Sequence, residues 1–179
     1  MDRPKRMEKS SVFKSRKHTA SSFATKTRLY YRYCIEILRY NTLDSHCTYA
    51  EAKKYVREWM ANGQYAKWTD IFDENGNLCG FLITMNGVVY THEKELHICE
   101  EYIIPGSRHK GLMKKAVGEE IAKTNPESIG LEIYDLNTYA KVFWKKILRD
   151  FGFKETDNHR IADTGGVREY RYTQTQPEK

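Results

Sequence analysis

The sequence predicts an α/β fold of the α+β kind, a mixed sheet flanked by helices. Three observations carry this. Two helical periodicities come before any strand. Two strand-like runs then flank an Asp-Glu-Asn-Gly turn. A strand–helix–strand–helix–strand succession follows, and its first unit demands parallel pairing with a right-handed crossover.

The elements follow in order. From Arg28 to Tyr40, Leu29, Tyr33, Ile37 and Tyr40 recur at three- and four-residue steps, the spacing of an amphipathic helix. Thr48 and Glu51 form a T-x-x-E capping box that starts a second helix. Tyr55, Trp59 and Met60 are expected on its inner face, and Gly63 at its end. Tyr65–Phe72 and Leu78–Met85 read as a hairpin around Asp73–Gly76. Asn86-Gly87 punctuates the next connection. Glu95–Ile104 is a third, central strand, and a helix after Arg108 runs to about Lys123, broken by Asn125-Pro126. Ile129–Asp135 is a strand and Asn137–Asp150 a helix. Phe151-Gly-Phe153 opens another strand, and Val167–Thr173 alternates as the last.

The 179 residues suit one domain. With 40% hydrophobic and 30% charged residues the composition is that of a soluble globular protein. No run of 18 apolar residues exists, which excludes a spanning helix and a membrane partner. The first thirty residues lack the apolar core of a secretory signal, so a cytoplasmic location is expected. Cys34, Cys47, Cys79 and Cys99 are widely spaced, fitting neither a disulfide framework nor a zinc site; they read as reduced thiols, with no metal.

The net charge of +6 is unevenly placed. Residues 1–28 hold nine Lys or Arg against two acids, a local +7, and the other 151 residues carry −1. The expected organisation is a basic, poorly ordered arm over 1–27, with at most a short edge strand around Ser11–Arg16, and a nearly neutral domain over 28–179. Such an arm suits contact with nucleic acid, a ribosome or another polyanion, and equally a solubilising tail.

The most informative stretch is Tyr102-Ile-Ile-Pro-Gly-Ser-Arg-His-Lys-Gly-Leu-Met113. An apolar strand ends at Ile104-Pro105, a short loop follows, and a helix enters at Gly111. The unpaired N–H groups of a helix start and its dipole favour an anion. Arg108, His109 and Lys110 add positive charge, and Gly111 lets a diphosphate approach the backbone. Neither a Walker A loop nor a Rossmann fingerprint is present.

Strand, Pro, R-x-x-G-x and amphipathic helix together resemble the acetyl-CoA loop of the GNAT N-acyltransferases, Q/R-x-x-G-x-G/A. Here it reads Arg108-His-Lys-Gly111-Leu112-Met113, with Met113 replacing the final small residue. A second block supports the first. Leu131-Glu-Ile-Tyr-Asp-Leu-Asn137-Thr-Tyr-Ala140, then Trp144 and Phe151-Gly-Phe153, resembles the family's strand, N-x-x-A, aromatic helix and GF motif. The resemblance spans about Leu78–Phe153. It implies a V-splayed mixed sheet with acetyl-CoA in the splay and pantetheine pairing with backbone near Ile103 and Ile104. The cofactor contacts it implies are Ile103, Ile104, Arg108, His109, Lys110, Gly111, Leu112, Met113, Asn137 and Trp144.

Acyl transfer to an amine needs a base for the ammonium proton and benefits from a donor for the leaving thiolate. By the resemblance the base is a glutamate on the central strand or the next one, and the acid often a tyrosine on the helix after Asn137. Candidates for the base are Glu132, Glu100, Glu101 and His97, the last because an imidazole ordinarily titrates near neutrality. On an ideal strand His97, Cys99 and Glu101 share one face, and Leu96, Ile98 and Glu100 the other; a bulge would scramble this parity. The acid position holds Trp144, whose indole donates a hydrogen bond and does not titrate, so Tyr139 or Tyr134 are the substitutes, or solvent.

Two readings of function follow. One is an acetyl-CoA-dependent N-acyltransferase, monomer or homodimer, acting on an amine of a protein, a small molecule or an aminoacyl-tRNA. The basic arm points towards a nucleic-acid or ribosome-associated acceptor, and Glu93, Glu95, Glu100 and Glu101 point the other way, towards a cationic one, so both stay open. The other is a binding module, a catalytically weak GNAT fold using the arm to hold a macromolecule; Met113 and Trp144 are its support.

Overall fold

The computed structural model describes residues 21–86 and 94–175. The short strand expected around Ser11–Arg16 and the acidic Glu93 lie outside the described residues. Helix α1 is Phe23–Ile37, continued by a 3-10 turn, and α2 is Tyr49–Ala61. The strands are β1 Ala66–Phe72, β2 Leu78–Asn86 and β3 Glu95–Ile103, followed by α3 Leu112–Thr124. Then come β4 Ser128–Tyr134, α4 Thr138–Asp150, β5 Phe153–Arg160 and β6 Val167–Gln174.

Helix α1 begins five residues before the start expected for it at Arg28. Ser22 caps it, its hydroxyl accepting from the Thr25 N–H at 3.2 Å. Charge in this stretch reads as solvated, but Lys26 is buried. Its ammonium lies 2.6 Å from Asp70 and 4.9 Å from the centroid of the Trp68 ring. Asp70 also accepts from the Ser21 N–H, which pins the start of α1 to β1.

The capping box of α2 forms as expected: Thr48 Oγ accepts from the Glu51 N–H, and the Glu51 carboxylate accepts from the Thr48 N–H. Its inner face differs from the reading. Ala52 and Val56 are fully buried, whereas Tyr55 and Met60 are about half exposed. Trp59, the third residue expected there, does pack inward, partly buried, with its indole N–H donating to the Tyr30 hydroxyl at 3.4 Å. Asn62, not Gly63, closes the helix. Thr48→Ala should cost about 1 kcal/mol of unfolding free energy; urea titration should show a lower midpoint at unchanged slope.

The sheet order is β1-β2-β3-β4-β6-β5. All neighbours are antiparallel except β3 and β4. Helix α3 is the crossover between these two. The last strand, β6, inserts between β4 and β5. Helices α1 and α2 cover Phe81, Ile83 and Tyr102 on one face. Leu82, Leu96, Ile98 and Leu131 face the other way and pack with α3 and α4 residues such as Val117 and Leu148.

Two irregularities make the site. The β3–β4 ladder covers only Glu95–Ile98 against Ser128–Leu131, while β4 continues along β6 to Tyr134. Beyond Ile98 the two parallel strands part, giving the V-splay. Opposite the same point, the β2–β3 register jumps from Thr84↔Ile98 to Ile83↔Glu100, so Cys99 is the extra residue of a bulge. The bulge reverses the ideal-strand parity. Glu101 now shares the face of Leu96 and Ile98, and Glu100 shares that of Tyr102.

Candidate active site

Two clefts open where β3 and β4 part, each of roughly 600 Å³. One lies over the turn into α3. The other lies between α1, α2 and the ends of β3 and β4. They meet: Tyr33, Ile37, Glu101, Asn137 and Ala140 line both.

The first cleft is built by the loop expected to hold phosphate. Its backbone turns through a 3-10 segment at Pro105–Ser107. It then takes left-handed conformations at His109 (φ 64°) and at Gly111 (φ 73°), the N-cap of α3. No side chain caps this helix end. A Cβ on Gly111 would meet nothing within 4 Å, so the space before the N–H groups is open. Lys110, Lys114 and Lys146 line the same cleft; Lys114 also pairs with Asp150 at 2.6 Å. His109, Leu112 and Ile103 line it too, and Ile104 packs into the core beside it.

Arg108 is used differently from the expectation. Its Nε donates to the Ile103 carbonyl at 2.9 Å, and its guanidinium pairs with Glu36 of α1 at 2.6 Å, 5.7 Å from the centre of the Tyr102 ring. It ties the loop to β3 and α1 rather than offering free charge. Met113 is 6% exposed and packs in the core, and it also lines this cleft. Asn137 caps α4 through the Ala140 N–H at 3.1 Å.

The second cleft is acidic. Glu51, Glu58, Glu100, Glu101 and Glu132 line it, with no Lys or Arg among the described lining residues. Tyr55 and Trp59 supply aromatic wall. Cys34, Cys47 and Cys99 lie here as free thiols; burial pushes Cys99 up to about 12 and raises Cys34 as well. A strap after α1 borders the cleft: Thr42 N–H donates to the Gly165 carbonyl at 2.8 Å, and Asn41 Nδ2 to the Tyr134 hydroxyl at 3.4 Å. Gly165 takes φ 71° there, a left-handed conformation that favours glycine.

Glu100 and Glu101 occupy the floor. Glu100 accepts from the Tyr30 hydroxyl at 3.2 Å and from the Tyr33 hydroxyl. Burial raises its pKa to about 7, opposed by those two bonds. Glu101 accepts from the Trp144 indole N–H at 3.1 Å. Burial raises it to about 8, with the Glu100 charge adding and the indole opposing. Glu132 is exposed on β4 at the edge of the acidic cleft.

The other candidates are elsewhere. His97 lines neither cleft; it is 5% exposed beside Gly130, 3.9 Å from Glu95, on the paired part of β3. Glu95 is likewise buried and 3.6 Å from Arg171. Neither faces an acceptor, because both precede the splay. Tyr139 is 60% exposed, stacked on Phe143 and edge-on to His109 at the mouth of the first cleft. It does not line the acidic cleft; Tyr134 does. Trp144 is 1% exposed and lines neither cleft, which corrects its expected contact with a cofactor. It lies one turn beneath Ala140, edge-on to Phe143. Tyr30, Tyr33 and Glu36 were missed as site residues; the periodicity of α1 marked Tyr33 alone, and periodicity does not say which strand a helix meets. Among the described residues no group of three or more His, Cys, Asp or Glu could hold a metal ion, and no helix is long and apolar enough to cross a membrane.

This fold is that of the GNAT acetyltransferases. A Bacillus anthracis acetyltransferase of the GNAT family superposes with TM-score 0.60 at 16% identity, over 84% of this chain and 89% of that one. Spermidine N-acetyltransferase from Vibrio cholerae, solved with CoA and spermine, gives 0.58 at 13% identity, over 84% and 87%. The Salmonella typhimurium acetyl transferase that modifies the N-terminal serine of ribosomal protein L7/L12 gives 0.61 at 16%, over 87% and 92%. No family model matches the sequence, and no curated protein matches it.

Proposed function

We propose that the protein is an acetyl-CoA-dependent N-acetyltransferase acting on the primary amine of a cationic acceptor. One observation carries this: a basic cleft at an uncapped helix end and an acidic cleft without Lys or Arg meet at Glu101. The three similar structures are all of acetyltransferases, one of them a spermidine N-acetyltransferase.

The residues fit the group. The N–H groups around Gly111–Lys114, with Lys110 and Lys146, would hold the diphosphate. The β3 edge facing β4, unpaired beyond Ile98, would take the pantetheine amides. When bound, acetyl-CoA supplies an activated acetyl thioester.

Glu101 is the base. It lies where both clefts meet, and a carboxyl titrating at about 8 suits an ammonium proton. Over the whole transfer the ammonium sheds two protons as the C–N bond forms and the C–S bond breaks. One goes through Glu101 to solvent, and the other ends on the leaving sulfur. Glu100, held by Tyr30 and Tyr33, and Glu132 keep the cleft attractive to cations.

Titration calorimetry with acetyl-CoA, then thiol release with spermidine, a lysine peptide and a neutral amide as control, tests the reading. Binding and turnover with the cationic amines, with KM between about 1 µM and 1 mM, are expected. Absence of acetyl-CoA binding would remove the proposal.

A further inference from the structure

Trp144 stands where the resemblance expects a proton-donating tyrosine, yet the indole is sealed in the core and its only polar atom, Nε1, is spent on Glu101 Oε1 at 3.1 Å. Glu101 in turn stands at the meeting point of two clefts, on the face to which the Cys99 bulge has turned it. We propose that Trp144 is a positioning residue: from beneath the junction its N–H fixes Oε1 of Glu101, so that proton traffic with the acceptor passes through Oε2. This rests on the reading of Glu101 as the base.

The surroundings make one rigid donor valuable. Cys99 and Glu100 precede Glu101 on its own strand and share the acidic cleft with it, and Tyr33 of α1 lines the junction. Glu132 of β4 lines the same acidic cleft. The Tyr33 hydroxyl is given to Glu100, and no cation pairs with Glu101 among the described residues. A carboxylate next to another carboxylate, partly withdrawn from water, is costly without a donor. Trp144 supplies it without a titrating proton of its own. The indole is gripped by its neighbours, edge-on to Phe143 at 5.4 Å, and Ala140 one turn above leaves the carboxylate room.

Trp144→Phe keeps the ring and removes the donor. The 13C resonance of the Glu101 carboxyl, followed against pH in the free protein, should report a pKa higher by about one unit, because a bond to the charged form is lost. The acid limb of kcat should move up with it, while KM for acetyl-CoA stays within about twofold, as expected for a residue that does not touch it. The same substitution in a Glu101→Gln background should have no comparable effect on kcat. An unmoved Glu101 titration, or an equal loss in both backgrounds, would overturn the proposal and leave Trp144 as packing. If Trp144→Phe unfolds, Trp144→Tyr, which keeps a donor on a smaller ring, must retain a Glu101 pKa nearer to the wild type than Trp144→Leu, which has no donor; the reverse order would also overturn it. A moved titration in a protein with no acetyl transfer would support the positioning and defeat the assigned reaction instead.

Discussion

Glu101→Gln is expected to lower kcat by about 10²- to 10⁴-fold, the range a positioned base contributes, while acetyl-CoA binding measured by calorimetry stays intact. Glutamine keeps the shape and an acceptor oxygen for the Trp144 indole, so the loss isolates the ionisable group. The pH dependence carries a sign as well. Glu101 must be ionised to act, and it titrates at about 8, so wild-type kcat should rise as pH is raised through that value and the variant should show no such limb. Stability runs the other way. The folded protein holds protons on Glu100 and Glu101 up to about 7 and about 8, far above the ordinary 4.5. Their contribution is therefore complete below about pH 4.5 and is lost as pH rises through 7 and 8. Thermal melts should show Glu101→Gln gaining on the wild type from pH 5 to 9. A variant that keeps wild-type kcat at pH 9 would contradict the first statement, and one less stable than the wild type there would contradict the second.

Gly111→Val should abolish useful acetyl-CoA binding. Gly111 is left-handed, at φ 73°, where an L residue pays roughly 1–2 kcal/mol, and a branched residue fares worst. The space that a Cβ would enter is open, so the fold should survive. Under the proposed function that open space is also where the diphosphate would approach the N–H groups of α3. Losing two charge-assisted hydrogen bonds there weakens affinity by about 10²-fold or more. Calorimetry should show the loss, with a melting temperature lowered by only a few degrees. Full affinity in this variant would place the diphosphate elsewhere.

The parts of the site legible in the sequence were those encoded within one turn of chain. Gly111 at a helix start and the Thr48–Glu51 box depend on residues close in sequence, and each is found as expected; Asn137, read as the first residue of its helix, proves to be its cap. What was not legible depends on distant partners. Arg108 meets Glu36 across 72 residues, so its charge read as free when it is spent. Glu100 meets Tyr30 and Tyr33 across 70 and 67 residues. The bulge at Cys99 is a property of the β2–β3 ladder, not of β3 alone, and it decides which of two adjacent glutamates faces which cleft. Lys26 looked like one more charge in a basic tail, and only Asp70 and Trp68 make it part of the core.

The opposite charges of the two clefts also bear on how a catalytic cycle would end. An ammonium enters an acidic cleft carrying the charge that draws it in, and steering of this kind is strongest at low salt. Acetylation erases that charge. The charged glutamates of the cleft would have little hold on a neutral amide, so under the proposed function the reaction itself would favour release. A polycationic acceptor would keep its remaining charges, depart more slowly, and could turn to present a second amine before leaving.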